Sequence, residues 1–383
     1  MGTSGKIHFH TFDALRFFAF LKVFLFHLPN VLPGDPAMEW FRDHIKHGGG
    51  VGVSFFFVLS GFLITYILTY EKLNTGKIDL KRFFVRRAFR IWPLFYLVVI
   101  IVLLLPPDFA QHWGLHMNGG GYDPDWRFSL TFTENYKSII MDSGPKLTPL
   151  PVFWSLCIEE HFYIIWMIVF FFIRPKGIPY FLGATVLIAW IFRFFETSIY
   201  GTENVSTNDL FTNIDYFAIS GLLGYAVAKN YRRVADLVIR IPYAIRIGYI
   251  FAVLTLLYFQ KDLFVHHDFF PEVLKYTLFS TVFAGLLIVF IPQEKGGLRI
   301  RDKHLLSWLG RISYGLYVYH LVWIHVLMKV FIYNGWDLNH WSTFGLFVLI
   351  TFSGTVLTSA ISYYWFEKPI LSFRETLFPK KAN

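Results

Sequence analysis

The chain has 383 residues, of which 55% are hydrophobic, 20% aromatic and 16% charged, and its mean hydropathy is +0.47. A soluble domain is usually about one-quarter charged, so these totals exclude a soluble α/β enzyme and make lipid the solvent. The formal net charge of +9 would suit nucleic acid, but the basic residues gather in every second connection, as cytoplasmic loops do, and no nucleic-acid partner is expected.

Ten apolar runs lie near 12–32, 50–70, 88–106, 152–173, 179–196, 211–228, 243–260, 272–292, 307–331 and 342–366. Most are about 20 residues long, enough to cross roughly 30 Å of hydrocarbon; those at 179–196 and 211–228 are short for a crossing. Backbone groups in lipid must be satisfied internally, so the expected fold is an all-α, polytopic transmembrane helical bundle of about ten spans. It is read as a single domain over 1–383. The first run lacks a small-residue cleavage site and carries charge, so it is kept as a span and not removed as a signal. The lone Cys157 excludes an intramolecular disulfide framework.

The first run, "FDALRFFAFLKVFLFHLPN" (12–30), carries Asp13, Arg16, Lys22 and His27. Eleven positions separate Arg16 from His27, just over three helical turns and ~16 Å of rise, so both project from nearly one face. Arg16 could snorkel and His27 could cap the helix before Pro29, but ionisable groups at this depth usually line a pathway or site. A neutral imidazole takes a proton near physiological pH, which makes His27 the general-base candidate. Asp13 and Arg16 have the spacing of a local ion pair, and Lys22, on another face, is expected to meet an acid or a headgroup.

The second run, "GGGVGVSFFFVLSGFLIT" (48–65), has Ser60–Gly61 within an apolar helix, suited to tight packing or to a narrow channel. The connection 71–90 is strongly basic and leads into "RRAFRIWP" (86–93). Arg86, Arg87 and Arg90 stand there as positive-inside anchors or as a phosphate grip, since paired guanidinium groups hold phosphate in bidentate fashion. A segment rich in turn residues follows, from Pro107 to Pro151. It is read as an extracytoplasmic or re-entrant loop, and one so long is more often functional than inert.

The fourth run opens on "FWSLCIEEHFY" (153–163), with Glu159 and Glu160 pointing about 100° apart on a helix. Either could orient an imidazole, pair with an arginine or bind a hydroxyl, and Trp154 and Ser155 beside them are candidate acceptor contacts. The "HWGLH" pair His112 and His116 lacks the glutamate of a zinc-protease motif, so no metal is expected. "VHHDFF" (265–270) reads as a wet loop. His320, in "SYGLYVYHLVW" (313–323), lies mid-span as a rival base or a substrate contact. Basic stretches at 71–90, 174–176, 229–240, 293–304 and 378–381 fall on one side if ten helices alternate, which puts both termini in the cytoplasm.

Taken together and in this order, "FDALRFFAFLKVFLFH", "FFFVLSGFLIT", "RRAFRIWPLFYL", "WSLCIEEHFYIIW", "LGRISYGLYVYHLVW" and "YYWFEKPI" resemble the type-3 family of integral-membrane O-acyltransferases over nearly the whole chain. The chain departs from the family at Ala14 and Phe17, where glycines are frequent, and at Cys157 and His161, where Ser and Gln are. The resemblance implies an enzyme of the bacterial inner membrane, without the esterase-like domain fused to some members. It would move an acyl group, commonly acetyl, from cytoplasmic acyl-CoA as co-substrate to a hydroxyl of a carbohydrate or envelope glycan. No tightly bound cofactor is implied. Carried over, His27 is the catalytic base with Arg16 its motif partner, and Arg87 and Arg90 match the donor-side arginine pair. The rival classes are a glycan or lipid transporter without chemistry, disfavoured by the lack of inverted-repeat hydropathy, and an inactive relative.

Overall fold

The computed structural model describes residues 7–116, 120–195, 208–265, 272–294 and 296–377. Among them the protein is all-α apart from two isolated bridges, His116 with Leu147 and Tyr122 with Pro145. Each apolar run is a helix: α1 (His10–His27), α2 (Gly50–Thr75), α3 (Leu80–Leu104), α4 (Trp154–Phe172), α5 (Ile178–Phe194), α6 (Leu210–Arg240), α7 (Tyr243–Tyr258), α8 (Glu272–Val289), α9 (Ser313–Tyr333) and α10 (Trp341–Ser362). A π-helical turn, Tyr363–Glu367, then leads into α11 (Lys368–Leu377). Seven helical stretches are long and apolar enough to cross a membrane, and α7 and α8 are shorter apolar helices. The chain is an integral membrane helical bundle.

Two expected connections are helical instead. Asp79 accepts a hydrogen bond from the Arg82 N–H at 2.9 Å, an N-cap that starts α3 eight residues before the apolar run. Arg86, Arg87 and Arg90 therefore stand on ordered helical turns and not on a loop. The basic stretch 229–240 likewise continues α6 past a break at Asn230, where φ is −156° and ψ is 78°. Hydropathy ends where lipid ends, but the backbone hydrogen-bond ladder does not.

The segment after α3 is also built. It holds short helices Pro107–His112, Trp126–Leu130 and Glu134–Ile140, folded about a buried carboxylate. Tyr122 donates to Glu134 Oε1 at 2.6 Å and Ser129 donates to Oε2 at 2.5 Å. Burial first, then the Glu134 carboxylate, pushes the Tyr122 hydroxyl well above its ordinary pKa. Phe132 holds φ at +56°, costly for a bulky residue, and its ring stacks on Phe95 at 4.1 Å.

The helices gather into two compact units, each assembled from separate stretches of chain. The first comprises Met1–Phe26, Trp40–Ile78 and His161–Arg311, with α6 packed along α2, α5 and α8. Small residues let those backbones close: a Cβ on Gly61 would lie 2.5 Å from Phe217 Cα. In this unit Lys22 is taken up by backbone carbonyls and forms no ion pair among the described residues. Its ammonium donates to the carbonyls of Ile45 at 2.6 Å and His47 at 2.7 Å, closing the π-helical stretch Phe41–Lys46. Lys72 does the same for α4, donating to Phe170 at 2.6 Å, Phe171 at 3.0 Å and Ile173.

The second unit comprises His27–Glu39, Asp79–Glu160 and Ile312–Asn383. Here α9 packs on α10, and α11 folds back onto α3. The loop read at 265–270 lies, from 266 onward, outside the described residues, as does 196–207 of the acid-rich connection.

Candidate active site

Two imidazoles meet in the second unit. His27 Nδ1 lies 3.3 Å from His320 Nε2, with ring centroids 5.0 Å apart. The other nitrogen of His320, Nδ1, is 2.7 Å from the Tyr317 carbonyl. A carbonyl only accepts, so His320 Nδ1 carries the proton and, with both rings neutral, its Nε2 offers a lone pair. The hydrogen on the shared contact then belongs to His27 Nδ1. That leaves the lone pair of His27 on Nε2, the form a general base requires. His320 is fully buried and His27 half-buried, so the inner ring fixes the tautomer of the outer one.

His320 ends a row of polar side chains on α9. Tyr314, Tyr317 and His320 follow at three-residue steps of ~4.5 Å. The Tyr314 hydroxyl donates to the Ile91 carbonyl at 2.8 Å, next to Pro93, which interrupts the ladder of α3. This bond sets the register of α9 on α3: Tyr314 stands level with Ile91, beside Arg90, and His320 lies ~9 Å further along α9. Tyr317 and Ser155 share a hydrogen bond of 2.7 Å, and both lie against the Val152 carbonyl. Ser155 is thus committed to holding the start of α4 on α9.

The carboxylates differ. Glu160 is 4% exposed; its Oε2 accepts from Trp92 Nε1 at 3.1 Å, while Oε1 has no hydrogen-bond partner among the described residues. Such a buried acceptor is costly to leave unfilled. Arg87 is near enough for its charge to act on Glu160. Glu159 is half-buried, and its charge reaches Tyr314 and Tyr317. Trp154 is half-buried at the head of α4. Glu367, buried on the π turn, accepts from Ser362 at 3.1 Å and feels the charge of Arg90.

The candidates Arg16, Ser60 and Gly61 lie in the first unit. Arg16 pairs with Asp13 one turn earlier on α1. Gly61 is filled by the backbone of α6, a packing position, and Ser60 is its neighbour. Four residues of the second-unit constellation were not singled out in the sequence: Trp92, Tyr314, Tyr317 and Glu367. The Tyr–Tyr–His spacing of "SYGLYVYH" and the lone acid of "YYWFEKPI" are the signals that carry three of them. Among the described residues, no group of three or more His, Cys, Asp or Glu side chains could hold a metal ion.

An activatable imidazole, an unfilled carboxylate oxygen and arginines on the helix that α9 grips through Tyr314 suit proton abstraction from a hydroxyl next to a phosphate-bearing donor. A family model described as an acyltransferase domain matches residues 9–363. The chain is 26% identical over 390 residues to a putative peptidoglycan O-acetyltransferase, YrhL, of Bacillus subtilis, an alignment covering 94% of this chain and 54% of that protein. It is 25% identical over 369 residues to the peptidoglycan O-acetyltransferase OatA of Listeria monocytogenes, covering 94% and 55%. To the O-acetyltransferase OatA of Staphylococcus aureus it is 26% identical over 389 residues, covering 97% and 59%. The chain spans just over half the length of these curated relatives. No solved structure matches it.

Proposed function

The chain belongs to the acyltransferase-3 family, and from that premise we propose that it moves an acetyl group from acetyl-CoA to a hydroxyl of an envelope glycan. Placement in a bacterial inner membrane with both termini cytoplasmic is part of the same reading. The basic connections support it, because they then lie on the side where CoA is found. The relatives' names, with their peptidoglycan acceptor, support the acetyl donor and the glycan.

The observation that carries the reading is the ordered imidazole pair. His27 Nε2 takes the proton of the acceptor hydroxyl as its oxygen attacks the thioester carbonyl carbon. The C–S bond then breaks, and the leaving thiolate takes that proton back from the imidazolium, giving an ester and free CoA. His320 is a positioning residue that keeps Nδ1 of His27 as the donor and Nε2 as the base. Arg87 and Arg90 hold the donor's phosphates, and Oε1 of Glu160 accepts from the acceptor, which fills its empty site. Holding both substrates in one geometry supplies much of the rate.

Purified, nanodisc-embedded His27→Ala should lose acetyl transfer by at least 10²-fold, the usual scale of a general base, with its thermal unfolding unchanged. Transfer at the parental rate would remove His27 from this role.

A further inference from the structure

The amphipathic end of the chain adds a cation that the sequence did not suggest. α11 packs back on α3, and its Arg374 side chain is only 16% exposed, although Phe373, Glu375 and Leu377 around it are exposed. That arginine is turned inward. Among the described residues its one ion pair is with the adjacent Glu375 at 3.6 Å, a carboxylate 59% exposed and so worth little. Arg86 and Arg90, at i and i+4 on α3, share a face, and both lie near enough to Arg374 for their charges to act on it. Among the described residues neither Arg86 nor Arg90 makes a hydrogen bond or ion pair. Glu367, the acid that feels the charge of Arg90, is already engaged by Ser362. Three guanidinium groups, Arg374 half-buried and Arg90 exposed, therefore lie on packed helices with less carboxylate than would balance them, and an anion among them would relieve the repulsion.

We infer that Arg86, Arg90 and Arg374 form one anion site, joined from two helices, that takes a multiply charged phosphate. The ligand class is the phosphate cluster of a nucleotide such as the adenosine end of CoA, an assignment that rests on the acetyl-transfer reading. The phosphate of an anionic lipid shares the chemistry and would satisfy the same groups. Guanidinium forks suit such oxygens better than ammonium does. A site joining α3 to α11 also makes the register of the C-terminal helix depend on its occupant.

The test measures binding apart from chemistry, with the full chain in nanodiscs and the variants Arg374→Gln, Arg374→Lys and Arg86→Gln. In neutral-lipid discs the probe is free CoA, compared with dephospho-CoA. In a second arm no CoA is present and phosphatidylglycerol is exchanged into the discs. For a nucleotide site, Arg374→Gln raises the CoA Kd about tenfold or more with a weaker salt dependence, Arg374→Lys raises it less, and dephospho-CoA is less sensitive to either. Arginine-dependent phosphatidylglycerol retention with no CoA binding would keep the anion site and sink the acetyl-CoA reading. Unchanged affinity for both probes in a variant of unaltered thermal stability overturns the site. If acetyl transfer persists in that case, the functional reading stands without it.

Discussion

Both units bury ionisable side chains among apolar helices, but the Arg193–Asp215 pair of the first is saturated and the Glu160 carboxylate of the second is not. In the first unit Arg193 is 1% and Asp215 0% exposed, and they join in two bonds, 2.5 Å and 3.0 Å long. Arg193 Nε also donates to the Thr212 carbonyl at 2.7 Å, and Thr277 donates to Asp215 Oδ2 at 2.7 Å. The guanidinium lies over the Tyr276 ring at 4.7 Å. This network ties α5, α6 and α8 together and has little capacity left for a ligand. In the second unit, Glu160 keeps an oxygen without a hydrogen-bond partner among the described residues, and His320 holds His27 in the tautomer whose lone pair is on Nε2. Buried charge alone does not mark a site.

The comparison breaks most visibly if the saturated pair is cut. Removing one partner strands a charge, so Arg193→Ala or Asp215→Ala should cost ~3–5 kcal/mol of stability. Replacing both, as Arg193→Met with Asp215→Leu, should be close to neutral. Chemical unfolding in detergent measures the stability, and acetyl transfer per folded molecule should survive in the double variant. If the single variants unfold like the parent, the network is no staple. If the double variant folds but is inactive, the first unit is more than scaffold.

The next test sharpens the unsaturated side. His320→Leu removes the acceptor that fixes the tautomer of His27, and kcat/KM should fall on the order of 10²-fold. His320→Gln can present an oxygen to His27 and an amide N–H to the Tyr317 carbonyl, so it should recover a good part of that loss. A void left by a lost ring would harm both variants alike. Rescue by Gln therefore separates a positioning role from packing.

How far the sequence foretold these two regions follows from where the information resides. The ten helices were legible because hydropathy records the solvent of each segment, and all ten runs are helices. Helix starts were less so: a cap such as Asp79 acts through a backbone N–H that hydropathy does not register. His27 and His320 were both recognisable as ionisable groups in apolar runs, yet they read as rivals. Their partnership spans 293 positions and turns on the direction of one carbonyl, that of Tyr317. Arg193 and Asp215 were hidden differently, in short runs whose ends looked like membrane boundaries, where an arginine or an aspartate is unremarked. Arg374 lies beyond the last apolar run, and only the packing of α11 on α3 gives it a place.

The smallest expected effect comes from two tryptophans, one per region, each donating a single hydrogen bond. Trp92 Nε1 is the one donor shown on the Glu160 carboxylate, whereas Trp190 Nε1 donates at 2.8 Å to Thr277, in a network where Asp215 keeps its other donors. Phenylalanine preserves most of the apolar contact and deletes the N–H. Trp190→Phe should therefore cost ~0.5–1.5 kcal/mol of stability, the net value of an ordinary hydrogen bond, and leave the acceptor KM untouched. Trp92→Phe leaves Glu160 without its donor, at roughly 1–3 kcal/mol for a buried group. Bound acceptor would relieve part of that cost only if it reaches Oε1. The carboxylate would then be held less firmly, and the acceptor KM should rise several-fold while the donor KM stays put. Steady-state kinetics in both substrates, alongside unfolding, distinguish the cases. A Trp92→Phe protein that loses stability with an unchanged acceptor KM would make Glu160 a second buried staple, and the contrast between the two regions would rest on the imidazoles alone.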